Sequence, residues 1–88
     1  MSQVFVNPDE LEGLASTLAA CSVEVTERVG QMCGAVSSCG SWNDVKKQQL
    51  EETLRELNQQ ITNFHASIHE QCLHLQALAA RARDYLST

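Results

Sequence analysis

Four cysteines and three histidines are the side chains best suited to chemistry in this 88-residue chain. His65, His69 and Cys72 follow one another at steps of four and three, which places them on one face of a helix. Imidazole and thiolate together suit zinc or copper. Three ligands on one helix rarely complete a site without a fourth, and His74 falls on another face. Phe64 and Ile68 flank the group, so polar residues at the edge of a packed seam explain it more simply. No metal and no cofactor is therefore expected, and His65, His69 and Cys72 stand as the only metal candidates. The runner-up reading they support is a metal- or redox-responsive helical module.

Cys33 and Cys39 bracket a turn, and they are the one pair that folding back of the chain near Val36 brings within disulfide range. Cys21 and Cys72 lie at unequal distances from that turn, an offset of about 15 Å along a helix, too far to bridge. The simplest reading of all four is small buried hydrophobes in a reducing compartment. There is no Gly-rich phosphate loop, and no Ser-His-Asp or Cys-His arrangement. A non-enzyme is expected. Lys46-Lys47 and Glu51-Glu52 read as a solvated face, with Glu51 and Arg55 spaced for an i,i+4 pair.

The elements that carry these residues are legible from two interruptions. The first is Asn7-Pro8: Asn suits a helix N-cap and Pro the first helical position. Asp9, Glu10 and Glu12 favour the positive end of a helix dipole, and Glu10 has capping-box spacing from Asn7. Leu11, Leu14, Leu18, Cys21, Val25, Val29, Met32 and Val36 then recur at steps of three or four, an apolar helical stripe. The second interruption is Ser37-Ser38-Cys39-Gly40-Ser41, where Gly40 suits a left-handed C-cap. Ser41, Asn43 and Asp44 are candidate caps for a second helix.

After the turn come two interleaved heptads. Leu50, Leu57, Phe64, Gln71, Leu78 and Tyr85 are spaced by seven, as are Leu54, Ile61, Ile68, Leu75 and Ala82. No Gly or Pro intervenes, so a helix of roughly 65 Å is expected. The chain reads as a single all-α domain over residues 1–88: a two-helix antiparallel hairpin, about 8–38 and 43–86. Asp9, Glu10 and Glu12 would then lie near Arg81 and Arg83.

Composition excludes several functions. Six Lys and Arg against 11 Asp and Glu give a net charge of −5, which argues against nucleic acid and anionic membrane surfaces as partners. No apolar run approaches the roughly 20 residues of a membrane span. Met1 to Pro8 shows no basic start followed by a long apolar stretch, so no cleavable secretory signal is expected. Aromatics at 5%, one Pro and four Gly are too few for a small β domain.

Two helices bury little against each other, and chains this small gain stability by association. Ala66, His69, Leu73, Ala77 and Ala80 lie off the heptad seam and extend the apolar surface of the C-terminal half of the second helix. A second hairpin completing a four-helix bundle is the expected partner, either another copy or a related chain. Trp42, alone at the turn, serves as a hydrophobic plug, as a partner contact, or as both.

The opening Val6-Asn7-Pro8-Asp9-Glu10-Leu11, the turn Gly40-Ser41-Trp42-Asn43-Asp44 and the heptads of the second helix together resemble the WXG100 family. These are the small ESAT-6-like proteins of bacterial type VII secretion, and the resemblance covers nearly the whole chain. It implies helical hairpins pairing as homo- or heterodimers, acting as secreted substrate or as escort for a toxin or other effector. A small subunit or chaperone of another bacterial secretion system is the other reading in this class. The resemblance departs from the family at two points. The family's turn is Trp-x-Gly, whereas here it is Trp42-Asn43-Asp44, in which Asp can cap the second helix. The family's export signal is a Tyr followed four residues later by Asp or Glu; Tyr85 has no such follower in this sequence. The expected location is the cytoplasm, with secretion by a route independent of a signal peptide as what the resemblance adds.

Overall fold

A computed structural model describes residues 6–87. Met1 to Phe5, which include most of the stretch read for a secretory signal, and Thr88 lie outside the described residues. Two helices make up the fold: α1, Pro8–Ser37, and α2, Val45–Ser87. They form the antiparallel hairpin expected from the sequence.

Each helix starts on the cap its sequence offers. Asn7 is extended (φ −95°, ψ 113°), and its side-chain oxygen accepts from the N–H groups of Asp9 at 2.9 Å and Glu10 at 3.4 Å. At the start of α2, Asp44 is the cap among the three candidates. Its carboxylate accepts from the Lys47 N–H at 3.0 Å and its carbonyl from the Gln48 N–H at 3.2 Å. The second helix therefore begins at Val45, two residues later than expected. The carboxyl of Asp44 is held below its ordinary value, first by the Lys47 N–H, with help from a Trp42 side-chain hydrogen bond.

The end of α1 differs from expectation. No described glycine has a positive φ, so Gly40 is not a left-handed cap. Ser38 closes the helix in a right-handed conformation instead: its N–H and its hydroxyl both donate to the Gly34 carbonyl, at 2.9 and 2.6 Å. A serine hydroxyl thus satisfies a terminal carbonyl that a left-handed glycine would otherwise help to cover. The last turn of α1 contains no basic residue, and α2 supplies one. Lys47, its side chain only 12% exposed, reaches back to donate to the Cys39 carbonyl at 3.0 Å. It also pairs with Glu51 at 3.9 Å, in place of the expected Glu51–Arg55 pair.

The seam between the helices is narrower than the sequence suggested. Its buried positions on α1 are Pro8, Ala15, Ser22 and Val29, spaced by seven. Opposite them, Cys72 and Ala79 are buried, with Leu54, Ile61, His65, Ile68 and Leu75 half-buried. Small side chains sit deepest because they let the two backbones approach. Large ones are displaced to the flanks: Leu14, Val25, Met32, Leu50 and Phe64 are exposed. The apolar stripe of α1 is thus split, Leu11, Leu18, Val29 and Val36 staying at least half-buried while Leu14, Cys21, Val25 and Met32 face out. The two heptads of α2 divide likewise. Leu54, Ile61, Ile68, Leu75 and Ala82 line the seam, whereas Leu50, Phe64, Gln71 and Tyr85 are exposed and only Leu57 and Leu78 are half-buried.

The result is a rod of 67 × 23 × 13 Å. Its radius of gyration is 19.8 Å, against about 12 Å for a compact domain of this length.

Candidate interaction surface

The residues singled out for metal chemistry are engaged elsewhere. Ser22, 2% exposed, forms a 2.6 Å hydrogen bond between its Oγ and His65 Nδ1 across the seam. The Cys72 thiol is buried and donates to the Ala15 carbonyl at 3.3 Å. His69 is exposed. Among the described residues no three His, Cys, Asp or Glu side chains converge on a metal position. All four cysteines are free thiols; Cys21 and Cys39 are exposed, Cys33 half-buried and Cys72 buried. Only Cys72 thus fits the expectation of a buried hydrophobe. Near the turn end, an open groove of about 210 Å³ is floored by Cys33, Val36 and Leu54 and edged by Glu51, Arg55 and Asn58. It is too open to exclude water from a reaction.

What the hairpin does present is two unlike sides. The line facing the seam runs Ala15, Ser22, Val29 on α1 and His65, Cys72, Ala79 on α2, all of them buried except the half-buried His65. One residue along a helix is a rotation of about 100°. Leu14, Cys21 and Arg28 each precede a position of that line on α1, as Phe64, Gln71 and Leu78 do on α2. Because the helices are antiparallel, preceding residues on both fall on the same side of the hairpin, and following residues on the other. The ion pairs mark the second side: Arg83 donates to Asp9 at 2.7 Å and to both carboxylate oxygens of Glu12, one at 3.0 Å. Asp9 follows Pro8, and Arg83 follows Ala82. These pairs hold the Arg83 guanidinium above its ordinary value, Glu12 contributing most. They join the helix ends that the charges predicted, with Arg83 rather than Arg81 making the contact.

The first side is broadly apolar. Leu14 and Phe64 are each 47% exposed, and Met32, Val25 and Leu50 extend the patch along both helices. The second side holds Ala66, Leu73 and Ala80, each following a position of the seam line, with Ala77 and His69 beside them. All five are exposed, and so is Trp42. They form a narrower strip of mostly small side chains. Sequence reasoning placed the residues of the first side in the hairpin's own seam. The signal that separates them is the seven-residue spacing of Ala15 and Ser22, small residues that seat the seam and turn their larger neighbours outward.

Among the described residues no helix is long and apolar enough to cross a membrane. No family model matches the chain, and no curated protein does. Solved structures do. A glycine-to-alanine mutant of the secreted protein EsxB from Bacillus anthracis str. Sterne is 18% identical, with 94% of this chain and 97% of that one covered at a TM-score of 0.83. The selenomethionine-labelled form of EsxB is 17% identical, covers 97% and 98%, and has a TM-score of 0.82. A glutamate-to-glutamine mutant of the same protein is likewise 17% identical at a TM-score of 0.82. The likeness extends over nearly the full length of both chains, and the fold of this protein is the ESAT-6-like helical hairpin.

Proposed function

We propose that this chain is a non-enzymatic protein-interaction module of the WXG100 type, which pairs with a second helical hairpin to form a four-helix bundle. The observation that carries the reading is the apolar first side. Leu14, Val25, Met32, Leu50 and Phe64 stand exposed together on a hairpin that exposes 6837 Å², against about 5,100 Å² for a compact monomer of 9.7 kDa. The surplus is total surface and reflects the rod shape; five large apolar side chains exposed on one side of a chain with so small a core support the reading of that side as an interface. In the bundle, the protein serves as secreted substrate or as escort for a secreted effector or toxin. The secreted EsxB structures support this direction by fold.

The second side gives the escort role its own surface. Ala66, His69, Leu73, Ala77 and Ala80 remain accessible when the first side is covered, and with Trp42 at the turn they are the proposed contacts for cargo. Light scattering on the reduced, purified chain tests the reading. A particle of two chains, or a stoichiometric complex with a helical partner from a neighbouring gene, is expected. A monomer at tens of micromolar that also binds no such partner sinks it.

A further inference from the structure

We infer that Lys47 is the positioning residue for Trp42: it ties the start of α2 to the end of α1 and so presents the indole in a fixed pose. The use of that pose rests on Trp42 as a cargo contact; the pose itself is a property of the free chain.

Residues 38–44 join the helices, and none of them is in the left-handed region. Exposed loop backbone opens readily where few bonds cross it. Here the bonds converge on one atom. The Cys39 carbonyl oxygen accepts from the Trp42 N–H at 3.2 Å and from Lys47 Nζ at 3.0 Å. A carbonyl has two lone pairs, so both donors are accommodated. The ammonium also polarises the carbonyl, which strengthens the bond from Trp42.

Lys47 is committed at both ends. Its N–H donates to the Asp44 carboxylate at 3.0 Å, which fixes the first turn of α2. Its ammonium reaches back eight residues to the end of α1. The side chain is only 12% exposed, and its ion pair to Glu51 is long, 3.9 Å. A lysine ordinarily keeps its ammonium in water. Drawing it under the chain costs hydration, and the carbonyl at hydrogen-bond distance offsets that cost. Lys46, one residue earlier, is exposed and has no ion pair among those formed by the described residues. The two lysines carry the same charge and differ in what they hold.

Trp42 is 37% exposed, so part of the ring is covered by the chain and part faces solvent. An aromatic whose orientation is set before binding loses little freedom when a partner covers it.

The chain has a single tryptophan, so the pose is read from its fluorescence. Acrylamide quenching and anisotropy of Trp42 are measured on the free, reduced chain, at matched oligomeric state by light scattering and with helicity followed by circular dichroism. Lys47→Met keeps the apolar stem and removes the donor. It is expected to raise the quenching constant about twofold and to lower the anisotropy at unchanged helicity. Lys46→Met removes the same charge one residue away, and Glu51→Gln removes the ion pair while leaving the donor; both should match the parent. A Lys47→Met variant that quenches like the parent overturns the role of Lys47. So does an equal rise in Lys46→Met, which assigns the effect to net charge, or in Glu51→Gln, which assigns it to the ion pair. Amide exchange in the parent gives a test that needs no variant. The Trp42 N–H is expected to exchange about tenfold more slowly than in an unstructured chain, and exchange at the unstructured rate overturns the closed turn. None of these readings needs a partner, so failure here leaves the interface reading intact, and failure of the light-scattering test above leaves the pose of Trp42 standing.

Discussion

The two sides of the hairpin differ by a rotation of one residue in each direction from the same buried line. On one side, stepping back from Ala15, Ser22, His65, Cys72 and Ala79 gives Leu14, Cys21, Phe64, Gln71 and Leu78. On the other, stepping forward gives Ser16, Val23, Ala66, Leu73 and Ala80. The first set is bulky and runs across both helices. The second is smaller on average, with Val23 and Leu73 its only large apolar members, and lies on the side where Asp9 and Glu12 meet Arg83. A protein this thin has no interior in which to hide large residues, so their asymmetric placement is informative. Bulk collects on the side proposed above as the interface, and the inter-helix ion pairs on the other.

The largest expected effect breaks that comparison directly. Phe64→Asp places a carboxylate at the middle of the bulky side and should raise the dissociation constant of the bundle by about a hundredfold or more. Leu73→Asp on the small side should change it by less than about threefold. Both should keep their helicity by circular dichroism. If Leu73→Asp is the one that dissociates the bundle, the roles of the two sides are reversed.

A smaller effect sharpens the boundary between seam and surface. Ala79 is 0% exposed, and its neighbour Ala80 is open to solvent. Ala79→Leu should cost about 1–3 kcal/mol through overpacking, and Ala80→Leu less than about 0.5 kcal/mol. Thermal unfolding reads the difference, and equal costs would mean that the buried line is misplaced.

Smallest is the cap of α2, remote from both sides. Asp44 has its folded-state value lowered by the Lys47 N–H. The carboxylate therefore stabilises the fold above its ordinary titration near 3.8, and the contribution is lost as pH falls through the lowered value. Asp44→Ala should lower Tm by a few degrees at neutral pH, with the gap narrowing below that range. A gap that is constant from pH 7 to pH 2.5 would assign the effect to something other than ionisation.

Much of this architecture is written locally. Asn7-Pro8 and Asp44 cap helices by contacts within four residues, which is why both starts were legible to within two positions. The end of α1 was less so, because Ser38 and Gly40 both offered a stop and only the backbone conformation distinguishes them. Periodicity also named the correct helices and, in the heptad from Leu54 to Ala82, the inward face of α2, but it did not separate that heptad from its neighbour or find the inward face of α1. A seven-residue repeat is the same repeat one position to either side, and Leu14 competes with Ala15 for the seam. The choice is made by how closely two backbones approach, a tertiary property. His65 and Cys72 were legible as a shared face; that they bond to Ser22 and Ala15 depends on the level at which α1 meets α2.

The slenderness of the rod has a further consequence. With cross-sections of 23 and 13 Å, the hairpin presents a profile little wider than two helices side by side along its whole 67 Å length. Any conduit broad enough to take that profile end-on admits the protein folded. The bundle proposed above, formed through the apolar side, would thicken only the narrowest dimension and would keep the length of the rod, so its profile end-on would stay slender.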